Sequence, residues 1–185
     1  MNIKGQKLRI TGAPSGIGAA TARYAAQKAA TIIFCLLLSW ILPAISWGWQ
    51  GMVIGVGDGD TITVLHNGKA VKIGLYGIDT PEKSQSFGKT AEQFTSVMLY
   101  GKTIEVETKG IDPYDRFVAL VNVGGKSLNE VLIKKGYAWV YGKYCKERFC
   151  KDWLNFEIAA RYAKTGLWSE PNPVPPWEFR HDKTK

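Results

Sequence analysis

Asp58-Gly59-Asp60-Thr61, followed after a short interval by Gly77-Ile78-Asp79-Thr80-Pro81-Glu82, is the stretch whose reading decides the fold. It brings four carboxylates into two short turns joined by a β-hairpin pattern. Carboxylates gathered in this way repel one another unless a cation or a cationic partner neutralises them. Hard oxygen donors of this kind suit calcium, and calcium beside a polyanion suits phosphodiester chemistry. Each half also has a blander reading: Asp-Gly-Asp is an ordinary turn, and Asp79-Thr80-Pro81 ends a strand.

Working outward, residues 53–56, 61–65 and 70–76 read as strands, and His66-Asn67-Gly68-Lys69 is a hairpin turn by its Asn-Gly pair. After Ser86, an expected N-cap, Ala91, Phe94, Val97 and Met98 recur at helical spacing. Residues 103–107 and 117–123 return to strand character. Ser127-Leu128-Asn129-Glu130 is a capping box whose helix has an apolar face of Leu128, Val131 and Leu132. Trp153, Phe156, Ala160 and Ala163 suggest a last helix closed by Gly166, and a Pro-rich tail over 171–177 ends in basic residues expected to be mobile. Five short strands interrupted and followed by helices predict an α+β, mainly β fold: a small closed barrel with helical additions. His66 and His181 fall in a turn and a tail, where exposure is expected rather than metal ligation.

A chain of 185 residues, 45% hydrophobic with seven Trp, eight Tyr and seven Phe, has enough apolar material for one ordinary domain plus extensions. The formal charge of +8 suggests a polyanion binder. Residues 1–46, however, carry five basic residues (Lys4, Lys7, Arg9, Arg23, Lys28) and no acid, so the rest holds 19 basic against 16 acidic residues, or +3. Residues 29–50 carry no charge, and residues 32–42 are strongly apolar. Basic residues before this run and Ala44-Ile45-Ser46 after it predict a secretory signal and an exported, secreted or periplasmic protein. The alternative is a membrane anchor through about residues 30–47, since an uncharged span of about 20 residues just suffices to cross a bilayer. An organellar address would share the acid-free start. The expected organisation is thus a basic preamble with signal or anchor over 1–46, a folded domain over 47–170 and the tail over 171–185.

Two resemblances refine this reading. Residues 8–22, with Thr11-Gly12 and Ser15-Gly16-Ile17-Gly18, resemble the opening of a short-chain dehydrogenase, whose glycine turn holds a dinucleotide pyrophosphate. The resemblance covers only about 20 residues, no βαβ unit follows, and no dinucleotide cofactor is expected. Tyr24 and Lys28 match that family's Tyr-x-x-x-Lys spacing but lie on the helix that the glycines would open. The second resemblance spans residues 53–170. Asp58-Gly59-Asp60-Thr61, Tyr76-Gly77-Ile78-Asp79-Thr80-Pro81-Glu82, Asp112-Pro113-Tyr114-Asp115-Arg116, and Leu128-Asn129-Glu130 before Gly136-Tyr137-Ala138 together resemble the staphylococcal nuclease family.

That resemblance implies a five-stranded OB-fold barrel with about three helices. It also implies a metal site for Ca2+ at Asp60, Asp79 and the Thr80 carbonyl, with Glu82 orienting or deprotonating the attacking water. Arg116 would grip the scissile phosphate and Tyr114 would lie near the bound nucleotide. The blander readings are surface charge for Arg116, packing for Tyr114 and solvation for Glu82. The family's other arginine falls five residues before the metal aspartate, where this chain has Gly74. Lys72, two residues earlier on the same strand face, is a point charge that could reach toward a phosphate. Asp115 stands where the family commonly has glycine and adds a negative charge beside Arg116.

Cys145 and Cys150, five apart, predict a short-range disulfide in an exported protein, and Cys35 lies in the leader. Two functions follow from these residues. One is a calcium-dependent, monomeric phosphodiesterase acting on DNA and RNA, preferably single-stranded, and impaired by Gly74. The other is a nuclease-like OB module that binds nucleic acid or a protein with little turnover.

Overall fold

The computed structural model describes residues 48–182. The leader, the dehydrogenase-like glycines and Cys35 lie outside the described residues.

Five strands form the barrel: β1 (Trp49–Val56), β2 (Thr61–His66), β3 (Lys69–Leu75), β5 (Thr103–Ile111) and β6 (Phe117–Val123). They run in the order β3-β2-β1-β5-β6, and a parallel pairing of β3 with β6 closes the ring at Ile73↔Phe117, Gly74↔Val118 and Leu75↔Ala119. The period-2 alternation predicted from sequence sends Ile62, Val64, Ile73, Ile104, Val106, Ala119 and Val121 into a fully buried core. Strands β1 and β5 extend beyond their predicted ends: Trp49–Met52 of β1 pairs with Thr103–Val106, and Thr108–Ile111 of β5 pairs with Phe117–Ala119 of β6. The hairpin turn has Asn67 and Gly68 both at positive φ, the geometry that matches strand twist. His66 departs from its expected exposure. It is half-buried against Trp49, ring centroids 4.3 Å apart, and its Nδ1 lies 2.9 Å from the Gln50 carbonyl.

Helix α1 (Gly88–Leu99) packs against β1 and buries Leu99 in the barrel core. Two expectations fail here. Ser86 does not cap it: Phe87 stands at the N-cap in left-handed conformation, while the Ser86 hydroxyl donates to Glu170. Val97 is exposed, because the buried stripe runs Ala91-Thr95-Leu99, and the Thr95 hydroxyl donates to the Gly59 carbonyl at 2.7 Å. Thr95 looked polar in the sequence and masked the true face.

Helix α2 (Leu128–Lys134) starts as predicted, with Ser127 accepting from the Glu130 amide. The short strand β7 (Lys126–Ser127) pairs with the end of β6 just before it. Asn129 is fully buried in this helix. Its Oδ1 accepts from the Val121 amide at 3.1 Å, and its Nδ2 donates to the Tyr76 carbonyl at 3.0 Å. It therefore ties the helix to β6 and to the segment entering the second acidic turn. Asn129→Ala is expected to cost about 2–4 kcal/mol, since several buried backbone groups lose their partner together. Chemical denaturation measures it, and a loss below about 1 kcal/mol would contradict the role.

Beyond the barrel, β4 (Ile78–Asp79) pairs with β8 (Trp139–Val140), and α3 (Cys150–Tyr162) packs behind them. Glu157 of α3 is buried and accepts from the Val140 amide at 2.6 Å while pairing with Arg161 at 2.7 Å. The Cys145–Cys150 disulfide forms. A Cβ at Gly77 would come within 2.8 Å of the Cys145 sulfur, and Gly77 has φ +71°, so glycine is required for this close approach.

The expectation of mobile basic residues after the Pro-rich stretch fails for residues 178–182, which are helical. A second apolar cluster of Trp139, Ala160, Leu167 and Trp168 receives Trp177, and Pro176–Asp182 forms a further helix, α4. Proline at the first helical position suits a helix start, because its missing N–H is an orphan there in any case.

Candidate nuclease site

The two acidic turns meet where β1–β2 and β3–β4 leave the barrel. The Asp58–Thr61 turn is closed by the Gly57 amide donating to the Thr61 carbonyl at 2.7 Å, and the Leu75 amide donates to the Asp60 carbonyl at 2.8 Å. Gly59 has no room for a side chain, since a Cβ would meet Thr80 Oγ1 at 2.8 Å and Ala91 at 2.9 Å. Across this contact the Thr80 amide donates to Asp60 Oδ2 at 2.7 Å. The structure thus brings Asp60, Asp79 and Thr80 together.

The carboxylates stand in a strained electrostatic setting. Burial, and then the charges of Asp58 and Asp79, push the Asp60 carboxyl well above the ordinary range. Burial also raises Asp79, against the opposing pull of Arg180. Among the described residues no three His, Cys, Asp or Glu side chains converge to hold a metal by themselves. Two hard carboxylates nevertheless fit a cation such as calcium, which accepts carbonyl and water oxygens to complete its shell. A soft or four-coordinate metal has no nitrogen or sulfur donor here.

A carboxyl whose folded pKa lies above its unfolded value costs stability once ionised. Without a cation, stability therefore declines as pH rises from about 4 through the raised pKa. In chelator at pH 7–8, Asp60→Asn is expected to raise Tm by about 4 °C, the shift that ~1 kcal/mol produces in a domain of this size. The gain should vanish near pH 4. Thermal unfolding in chelator decides it, and a lower Tm for the asparagine variant at pH 7 would contradict the like-charge account.

Glu82 lies just past Pro81, with its amide donating to Gln85 Oε1 at 2.8 Å, and the Gln85 amide in turn donates to the Glu82 carbonyl. Arg116 is held from two sides. Its Nε donates to Asp112 Oδ2 at 2.7 Å and its Nη1 to the Thr61 hydroxyl at 3.1 Å. That hydroxyl in turn donates to Asp60 Oδ1 at 3.3 Å, so a hydrogen-bond chain links the guanidinium to the Asp60 carboxylate. Asp112 Oδ1 accepts from the amides of Tyr114 and Arg116, closing an Asx-type loop, and these bonds lower the Asp112 pKa against the effect of its burial. The Tyr114 ring is 80% exposed, with the Arg116 guanidinium 5.7 Å from its centroid, as suits a stacking surface for a base.

Asp115 makes no ion pair with Arg116. It occupies the left-handed region at φ +59°, where aspartate is tolerated and glycine is at ease, so it shapes the turn without redirecting the guanidinium. Gly74 sits in the barrel closure between Thr61 and Val118, and a Cβ there would meet only Arg116 Cζ, at 3.9 Å. Lys72 is exposed on β3 and forms no hydrogen bond or ion pair with Asp60, Asp79, Glu82 or Arg116. A groove of about 300 Å3 lined by Leu120, Phe149, Trp153 and Phe156 shares no residue with this site.

One member of the site was missed in the sequence. Arg180 of α4 places Nη2 2.7 Å and Nη1 3.2 Å from the two oxygens of Asp79, and Nη1 2.7 Å from Glu82 Oε1.

The barrel, the acidic turns and the Arg116 loop agree with a comparison of sequences. The sequence profile described as staphylococcal nuclease homologue matches residues 72–170. The chain belongs to the staphylococcal nuclease family. It is 38% identical over 148 residues to a protein of Escherichia coli named uncharacterized endonuclease, covering 80% of this chain and 94% of that one. A micrococcal nuclease of Shigella flexneri is 33% identical over 166 residues, covering 84% and 92%. A staphylococcal-like nuclease of Arabidopsis thaliana is 39% identical over 115 residues, 62% of this chain and 35% of the relative. The closed barrel of this chain is consistent with the OB-fold of this nuclease family.

Proposed function

We propose that the chain is a calcium-dependent phosphodiesterase that hydrolyses DNA and RNA with little sequence preference, single strands first. The observation that carries this reading is the convergence of Asp60, Asp79, Glu82 and the Asp112-braced Arg116 at one end of the barrel.

Asp60, Asp79 and the Thr80 carbonyl would hold calcium, which when bound supplies positive charge opposite a phosphoryl oxygen. Glu82 positions a water and takes its proton as the water oxygen bonds to phosphorus. The bond from phosphorus to the leaving oxygen breaks, and that oxygen takes up a proton from solvent. Arg116 donates to the non-bridging oxygens as charge gathers on them, in a planar fork that matches two of them at once. The exposed Tyr114 ring offers a face for an unpaired base, which favours flexible single strands over a stacked duplex. Gly74 leaves β3 without a guanidinium, so the barrel's own residues supply one arginine where the family pattern has two, and turnover is impaired accordingly.

Export, with the chain acting as a monomer, is part of the same reading. The disulfide supports it, because such bonds persist in oxidising compartments. If residues 30–47 are retained as an anchor, the same domain acts at a membrane surface.

The test offers single-stranded DNA, duplex DNA and RNA to the full chain in calcium and in chelator. Cutting of all three in calcium, fastest for single strands and lost in chelator, is expected. No cutting of any substrate by a folded protein in calcium would leave the binding module as the function.

A further inference from the structure

We propose that Arg180 is the second phosphate-gripping arginine of this site, delivered by the C-terminal helix in place of the side chain that Gly74 does not carry. The inference rests on the nuclease reading above and deepens it.

The guanidinium bridges two carboxylates with different roles. It takes both oxygens of Asp79, at 2.7 and 3.2 Å, and one oxygen of Glu82, at 2.7 Å. On the nuclease reading Asp79 serves the cation and Glu82 the attacking water, so a group touching both lies within hydrogen-bonding reach of a phosphate held between them. Each carboxylate oxygen has a second lone pair, so the contact with Asp79 does not exhaust that residue as a cation ligand. The Arg180 side chain remains 47% exposed, which leaves the guanidinium accessible to a polyanion. Among the described residues it is the cation that pairs with the Asp79 and Glu82 carboxylates. Arg116 is committed to Asp112 and Thr61 and bonds neither of them.

The delivery is built from contacts independent of Arg180. Trp177 stacks on Tyr141 at 4.7 Å with the rings 8° from parallel, and Pro176 is buried. Gln85 donates to the Val174 carbonyl at 3.1 Å, and Ser86 donates to Glu170. Tyr141 is itself fixed by its amide donating to the Gly77 carbonyl at 2.8 Å, two residues before Asp79. The strap thus grips both the Glu82 loop and the β4–β8 pair. An arginine held by such supports is preorganised, and that is what makes a charged donor effective in a transition state. The competing role is a latch, in which Arg180 merely covers the cation-site carboxylate and must leave before substrate binds.

The experiment compares the full chain with Arg180→Ala, Arg180→Lys and Gly74→Arg/Arg180→Ala, by cleavage of single-stranded DNA in calcium. Affinity for a 5′-phosphorylated oligonucleotide is measured beside it in chelator, where nothing turns over. Arg180→Ala should lower kcat by about 10²-fold, the usual cost of one preorganised donor, and weaken oligonucleotide binding about tenfold. Lysine should recover little, since a point charge does not reproduce the fork. Arginine at 74 should restore at least tenfold of the loss, because it returns a guanidinium to the same phosphate from β3. Unchanged or faster cleavage by Arg180→Ala overturns the proposal, and a rise identifies a latch. If the parent does not cut at all, the nuclease reading fails on its own, and oligonucleotide affinity still decides: a tenfold loss in Arg180→Ala supports the phosphate contact, and no change overturns it.

Discussion

Glu82→Gln is expected to lower kcat on single-stranded DNA by about 10²–10⁴-fold, the range over which a positioned general base contributes. Glutamine has nearly the same shape and keeps an acceptor oxygen for Arg180, so the turn set by Gln85 should survive. What it cannot do is take a proton from water. The calcium concentration giving half-maximal rate should stay within a few-fold of the parent's, because Glu82 bonds neither Asp60 nor Thr80, whose contact marks the proposed cation site. A fall in rate that excess calcium fully repairs would mean that Glu82 serves as a ligand, not as the base. Initial rates across a calcium titration separate the two.

Arg116→Lys is expected to lose about 10³-fold in kcat, with the fold intact. Phosphoryl-transfer arginines are worth about 10³–10⁵, and lysine keeps the charge but not the planar fork. The structure adds a second reason. Arg116 is aimed by Asp112 through Nε and by Thr61 through Nη1, two simultaneous bonds in fixed directions that one ammonium cannot copy. Oligonucleotide affinity should fall much less than kcat, since the charge remains and the tight grip is wanted only as the transition state forms. Equal losses in affinity and kcat would instead assign Arg116 to ground-state binding alone.

The barrel was legible because its strands alternate between buried and exposed residues and its β2–β3 hairpin carries Asn67-Gly68, which favours one turn type. The acidic turns and the Arg116 loop were legible for a different reason: short-range motifs demand particular residues at fixed offsets. Arg180 was not, because it meets Asp79 from 101 residues away, through a helix in a segment that reads as a proline-rich tail. Pro175-Pro176-Trp177-Glu178 did hold a signal, proline at a helix start beside an aromatic anchor. Asp112 lay inside a quoted motif, but its work is done by geometry, three donors converging on one carboxylate, which no spacing reveals. Ser86 and Val97 misled because local preference lost to tertiary contact: Glu170 takes the serine hydroxyl, and Gly59 takes Thr95 into the interior.

On the proposed function, Asp60 and Asp79 hold the cation on which cutting depends. The most direct test is the rate of single-stranded DNA cleavage by the full chain against calcium concentration, for the parent and for Asp60→Asn. The account predicts a saturable rise in the parent that chelator abolishes, and at least a hundredfold loss of rate or shift of the midpoint in the variant. Cutting by the parent that persists in chelator, or an Asp60→Asn curve that overlays the parent's, would contradict it.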